Sequence, residues 1–139
     1  MKLFTYGTLR VGESNASILD QSGTYKGTVK TVDTYIMATE LSHCFPYVIS
    51  RQHWPEMSHL AVHITGDVYD VNPSGLTQCD KLEGHPRWYV RTPIDVVDTN
   101  GNVYMVEAYI LSKHSVEVLI NEDITILNGD WKTNINRIH

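Results

Sequence analysis

The sequence predicts a sheet-dominated α+β fold with only short helices, and three observations carry that expectation. β-Branched residues and eight tyrosines are frequent, and both types suit a pleated, half-buried surface. No long stretch repeats apolar residues at the 3.6-residue period of an amphipathic helix. The 139 residues, 42% of them hydrophobic, make one domain over 1–139 with apolar mass for one core.

Charge and cysteine content narrow the function classes. The formal net charge is −5 and the basic residues are scattered, so the chain offers no positive stripe for a phosphate backbone, and nucleic acid is not an expected partner. No apolar run approaches the roughly 20 residues of a membrane-spanning helix. The two cysteines, Cys44 and Cys79, lack a CxxC spacing and read as buried small hydrophobes. The chain starts directly on a strand, without a basic or cleavable leader. A reduced, cytoplasmic protein is expected.

The first element is the short apolar strand Leu3-Phe4-Thr5-Tyr6, which runs into Gly7-Thr8-Leu9-Arg10. A glycine at a strand end permits a turn with positive φ and lets a ligand approach the peptide N–H groups, so this is a candidate anion cradle. An ordinary strand end reads the same way. Gly12-Glu13-Ser14-Asn15 resembles a loop ending in a helix cap, followed by one or two turns carrying Ala16, Ile18 and Leu19. From Gly23 to Leu41 one or two strands are expected, with Gly27 marking a bulge or a close approach. Phe45-Pro46-Tyr47-Val48-Ile49 is a further extended piece, placed at a sheet edge because proline cannot donate to a central ladder.

Residues 51–58 read as a surface loop carrying Trp54 and Pro55. His53, His59 and His63 then invite a metal-site reading. In a strand over 60–64, His59 and His63 share a face but stand roughly 13 Å apart, too far for one zinc unless the chain bends or His59 lies in the loop. No metal and no cofactor are expected.

Residues 66–71 continue as strand, and Asn72-Pro73-Ser74 starts a helix, with proline tolerated in the first turn. Leu76, Cys79 and Leu82 recur three apart as a buried stripe, and Gly84-His85-Pro86 ends the helix. Glu83 therefore occupies the last turn, where the helix dipole opposes a negative charge and tends to raise its pKa. A solvated surface glutamate tolerates that position for a few tenths of a kcal/mol. A glutamate shielded from water by the following Trp88-Tyr89 would instead exchange protons near neutral pH. A strand over 89–97, an Asn100-Gly101 hairpin turn and a strand carrying Tyr109 follow. Residues 112–127 hold a mixed aliphatic and acidic pattern compatible with a lid, a short helix or a subunit contact.

Taken in order, Tyr6-Gly7-Thr8-Leu9-Arg10, Gly66-Asp67-Val68-Tyr69 and Leu82-Glu83-Gly84-His85-Pro86-Arg87-Trp88-Tyr89-Val90-Arg91, with Ala108-Tyr109-Ile110 and Gly129-Asp130-Trp131 behind them, closely resemble the gamma-glutamylcyclotransferase-like family, on its AIG2-like, gamma-glutamylamine side. The resemblance implies a small mixed β-barrel with short flanking helices. It also implies release of 5-oxoproline from a small gamma-glutamyl substrate, with Glu83 as the catalytic group. The substrate-holding loop falls on Tyr6, Gly7, Thr8 and Leu9, and a pocket-lining tyrosine falls on Tyr109. Arg91 is left between orienting Glu83 or the ligand and being a rim charge. The alternative is a non-catalytic small-ligand module on the same fold. A glutamate at position 83 argues against it, because a pocket for an anionic ligand gains nothing from a buried negative charge. Oligomeric state and substrate branch are not legible.

Overall fold

The computed structural model describes residues 1–7, 19, 23–40, 45–120 and 124–131. Among them are strands β1 (Lys2–Thr5), β2 (Gly23–Glu40), β3 (Tyr47–Ile49), β4 (Val62–Val71), β5 (Tyr89–Val97), β6 (Val103–Leu111) and β7 (Ile124–Ile126). Helix α1 spans Pro73–Glu83 and helix α2 spans Lys113–Leu119. Strands β2, β4, β1, β6 and β5 pair in that order, and β5 returns to β2 through Val97 opposite Lys30 and Val96 opposite Thr31. The ring is therefore a closed five-stranded barrel. It is mixed, because β1 runs parallel to β6 while its other pairings are antiparallel.

Strand β2 is one 18-residue element rather than two, because its halves serve different partners. Residues 23–31 form barrel wall, and beyond the register shift between Lys30 and Thr34 the strand carries β3 and β7. A second shift, between Tyr25 and Gly27, is the expected bulge. Strand β3 lies at the sheet edge, as Pro46 requires.

Strand alternation separates the interior into two clusters. Phe4, Val29, Ile64, Val68, Val96, Val106 and Ala108 come from all five ring strands and fill the barrel together with Trp131. Their neighbours Leu3, Tyr69, Tyr109 and Leu111 point the other way and pack with Tyr47, Cys79, Val116 and Leu119, under the helices and β3. That outer layer seats α1 against the barrel wall.

Three local expectations are corrected. Trp54 is 8% exposed rather than on a surface loop. A 3-10 turn over Pro55–Leu60 reverses the chain there, and the Met57 N–H donates to the Trp54 carbonyl, tucking the indole against the outer core. His59 belongs to that turn and not to a strand, since β4 begins at Val62, so it does not share a strand face with His63. In α1 the buried positions are Gly75 and Cys79, while Leu82 is 45% exposed, because it stands at the mouth of a cavity rather than in the core. Residues 113–119 and 124–126 form α2 and β7. The expected cap at 12–15 and the positions of Ala16, Ile18 and Cys44 lie outside the described residues, and Leu19 is fully buried.

Candidate active site

A cavity of about 210 Å³ opens between the C-terminal end of β1 and the last turn of α1. Phe4, Thr5, Tyr6 and Gly7 line one side, Leu82, Glu83 and Trp88 the other, with Phe45, Pro46, Tyr89 and Tyr109 between. Of the six expected site residues, Tyr6, Gly7, Glu83 and Tyr109 are thus brought together, and Thr8 and Leu9 lie outside the described residues.

Local sequence explains how Glu83 is presented. Asn72 caps the start of α1 by accepting from the Gly75 N–H at 2.8 Å, and Pro73 fills the first turn. At the other end Gly84 takes the left-handed conformation, φ 65° and ψ 35°, which an L side chain would strain. The His85 N–H then reaches back to the Asp80 carbonyl, the pattern of a Schellman stop. The Arg87 and Trp88 N–H groups both donate to the Gly84 carbonyl at 2.9 Å, folding the indole back beside the helix end. Ser112, the cap of α2, holds that turn by donating to the Arg87 carbonyl at 2.8 Å.

Burial pushes the Glu83 carboxyl up to about 7. Among the described residues it has no hydrogen-bond or ion-pair partner, so desolvation acts unopposed. The nearby phenols are committed elsewhere: Tyr6 donates to the Tyr109 carbonyl at 2.6 Å, Tyr89 to the Pro46 carbonyl at 3.0 Å and Tyr109 to Asp80 Oδ1 at 2.7 Å. Desolvation, reinforced by the Glu83 charge, holds Tyr6 and Tyr89 well above the usual phenol range. Burial and the same charge raise the Cys79 thiol to about 11. Among the described residues that line the cavity, the group able to exchange protons near neutral pH is Glu83.

Gly7 is small for a different reason from the expected one. Its φ is not positive, and a Cβ there would lie 2.8 Å and 2.9 Å from Pro46 Cδ and Cγ. The requirement is close approach to the chain before β3. Gly7→Ala should push Pro46, and with it the acceptor of the Tyr89 hydroxyl, out of place, at a cost of about 1–3 kcal/mol measurable by urea unfolding.

Sequence reasoning missed Asp80. Arg91 Nη1 donates to both of its carboxylate oxygens, at 2.8 and 2.6 Å, so Arg91 engages Asp80 and not Glu83. The available signals were the three-residue spacing from Asp80 to Glu83, which places both along one side of α1, and the cross-strand pairing of Arg91 with Tyr109. No group of three His, Cys, Asp or Glu side chains among the described residues is arranged to hold a metal.

The family profile described as gamma-glutamyl cyclotransferase, AIG2-like, matches residues 3–133. The chain belongs to this family. A Methanocaldococcus jannaschii protein, provisionally named a gamma-glutamylcyclotransferase, is 31% identical over 99 residues, covering 71% of this chain and 74% of its own. The gamma-glutamylaminecyclotransferase of Rattus norvegicus is 33% identical over 98 residues, 68% of this chain and 62% of the rat chain. An AIG2-like protein of Mus musculus superposes with a TM-score of 0.66 at 22% identity, over 81% of this chain and 77% of that one, and so shares the fold. The family and both relatives carry the names of enzymes, and the closed mixed barrel with its few helices is the fold shared with the solved AIG2-like structure. No helix among the described residues is long and apolar enough to cross a membrane.

Proposed function

We propose that this chain is a gamma-glutamyl cyclotransferase that releases 5-oxoproline by intramolecular aminolysis, with Glu83 as general acid and base. The observation that carries the reading is a carboxyl with a pKa of about 7, unpartnered among the described residues and facing a small cavity across from the end of β1. A proton-transfer group works best when its pKa lies near the operating pH.

The substrate supplies its own nucleophile. Its α-amine attacks the γ-carbonyl, a carbon–nitrogen bond closes the five-membered ring, and the bond to the leaving amine then breaks. Glu83 takes a proton from the attacking nitrogen and returns it to the leaving nitrogen, so no water is consumed and one carboxyl serves both steps. The protein must hold the ligand bent, and close positioning of this kind replaces a costly encounter. Tyr6 and Gly7, with Thr8 and Leu9 beyond them, are the proposed hold on the substrate. Peptide N–H groups there would bind the α-carboxylate or stabilise the developing oxyanion. Tyr109 contributes ring surface, because its hydroxyl is spent on Asp80. The cavity is smaller than the roughly 300–1,000 Å³ of typical small-molecule sites, which suits a glutamyl group inside and the leaving amine at the rim formed by Leu82 and Phe45. The proposed compartment is the cytoplasm.

The test is mass-spectrometric detection of 5-oxoproline from gamma-glutamyl amino acids, gamma-glutamylamines and glutathione. Release from at least one class is expected. Silence from the folded protein across the panel would overturn the reading in favour of a binding module.

A further inference from the structure

Resting on that reading, we propose that Asp80 is a positioning residue that sets Glu83 over the cavity by clamping the end of α1 to strands β5 and β6. The Asp80 carboxylate stands one helical turn before Glu83. It accepts two hydrogen bonds from Arg91 of β5 and one from the Tyr109 hydroxyl of β6. Arg91 and Tyr109 are directly opposite one another in the β5–β6 ladder, so the carboxylate grips two adjacent strands at one level of the barrel wall. The side chains of Asp80 and Arg91 are 25% and 22% exposed, and the two-oxygen contact fixes direction as well as distance.

The clamp closes on the helix end from a second side. The Asp80 carbonyl accepts the His85 N–H at 2.9 Å, and His85 Nδ1 accepts the Arg91 N–H at 3.0 Å. Asp80, His85 and Arg91 therefore encircle the turn that carries Glu83 and Gly84. A third link reaches the opposite wall, because the Tyr109 backbone carbonyl receives the Tyr6 hydroxyl at 2.6 Å. One carboxylate thus sets the relative position of Glu83 and of the β1 end that faces it. Leu82 in the same turn is 45% exposed, and Asp80 supplies this turn's polar contacts to the barrel wall. Positioning errors of about 1 Å can cost around 100-fold in rate.

The test combines kinetics with a measurement that needs no turnover. Asp80→Asn retains an acceptor for Tyr109 but weakens the grip on Arg91. It should lower kcat tenfold or more while KM changes less than threefold. In the Glu83→Gln background the same change should have no further effect, because Asp80 acts through Glu83. Arg91→Lys, which keeps the charge and replaces the planar guanidinium whose Nη1 bridges both Asp80 oxygens, should lower kcat in the same direction and serves if Asp80→Asn does not fold. Separately, the Glu83 carboxyl, followed by carbon-13 NMR, should titrate near 7 in the native protein and lower in Arg91→Lys, which leaves the local charge unchanged, as it swings toward water. Tyr6, Tyr89 and Cys79 face it and stay neutral through that range. A raised KM with unchanged kcat, equal losses in both backgrounds, or an unmoved titration would overturn the clamp. A native chain that releases no 5-oxoproline, together with a Glu83 titration displaced in the variant, would overturn the proposed activity and leave the clamp standing.

Discussion

Glu83→Gln is expected to lower 5-oxoproline release by roughly 100- to 10,000-fold, the usual contribution of one general acid–base group, while making the protein more stable at alkaline pH. The carboxyl and the amide have nearly the same shape, so cavity and fold should persist. The stability effect follows from linkage. An unfolded glutamate titrates near 4.5, whereas burial moves the folded Glu83 to about 7. Between those values the folded state binds the proton more tightly, so native stability falls as pH rises across that window. The loss at pH 8 is of the order of 3 kcal/mol. The Gln variant lacks this penalty. It should therefore melt above the native protein at pH 8 and level with it near pH 4, in paired thermal scans. The same titration predicts that kcat/KM for the native chain rises through pH 7 as Glu83 becomes able to accept a proton. A variant equally inactive but without the alkaline stability gain would show that Glu83 is not desolvated in the folded protein.

Trp131→Ala should be the most destabilising substitution of the set, at about 3–5 kcal/mol. Trp131 is 1% exposed and heads the fully buried side chains by volume. It packs in the cluster that fills the barrel, where the ring strands cannot close over the space an alanine would leave. Gly129 brings the segment in, with its carbonyl accepting the Thr65 N–H of β4 at 2.9 Å. Chemical denaturation should show a lower midpoint at unchanged slope, and the melting temperature should fall on the order of 10 °C. A loss under 1 kcal/mol would mean that the indole lies outside the barrel core. The two substitutions separate cleanly: Glu83→Gln costs rate without stability, and Trp131→Ala costs stability first.

Much of the architecture was legible because it rests on short-range rules. Strand ends marked by glycine and proline, the Asn72-Pro73 helix start, the Gly84 stop and the Asn100-Gly101 turn depend on backbone conformations that neighbouring residues dictate. The placement of Glu83 in the last turn of a helix followed from the same rules. Some errors came where a distant partner decided. Trp54 read as surface because the sequence around it is polar, yet the 3-10 turn delivers the indole to the outer core. Gly7 read as a backbone turn, and its small size serves Pro46, 39 positions away.

By itself, the sequence determined the sheet-dominated class, the helix that ends at Glu83 and the order of motifs that marks the family. Tertiary structure alone decided that β5 closes on β2, that Asp80 rather than Glu83 takes the charge of Arg91, and that the phenols around the cavity are spent on other acceptors. These depend on which strands become neighbours, and strand pairing is a long-range contact that no local periodicity encodes. The pKa of Glu83 belongs with them, since the helix position supplies a tendency and only burial against the far end of the chain's first strand removes the water that would have cancelled it.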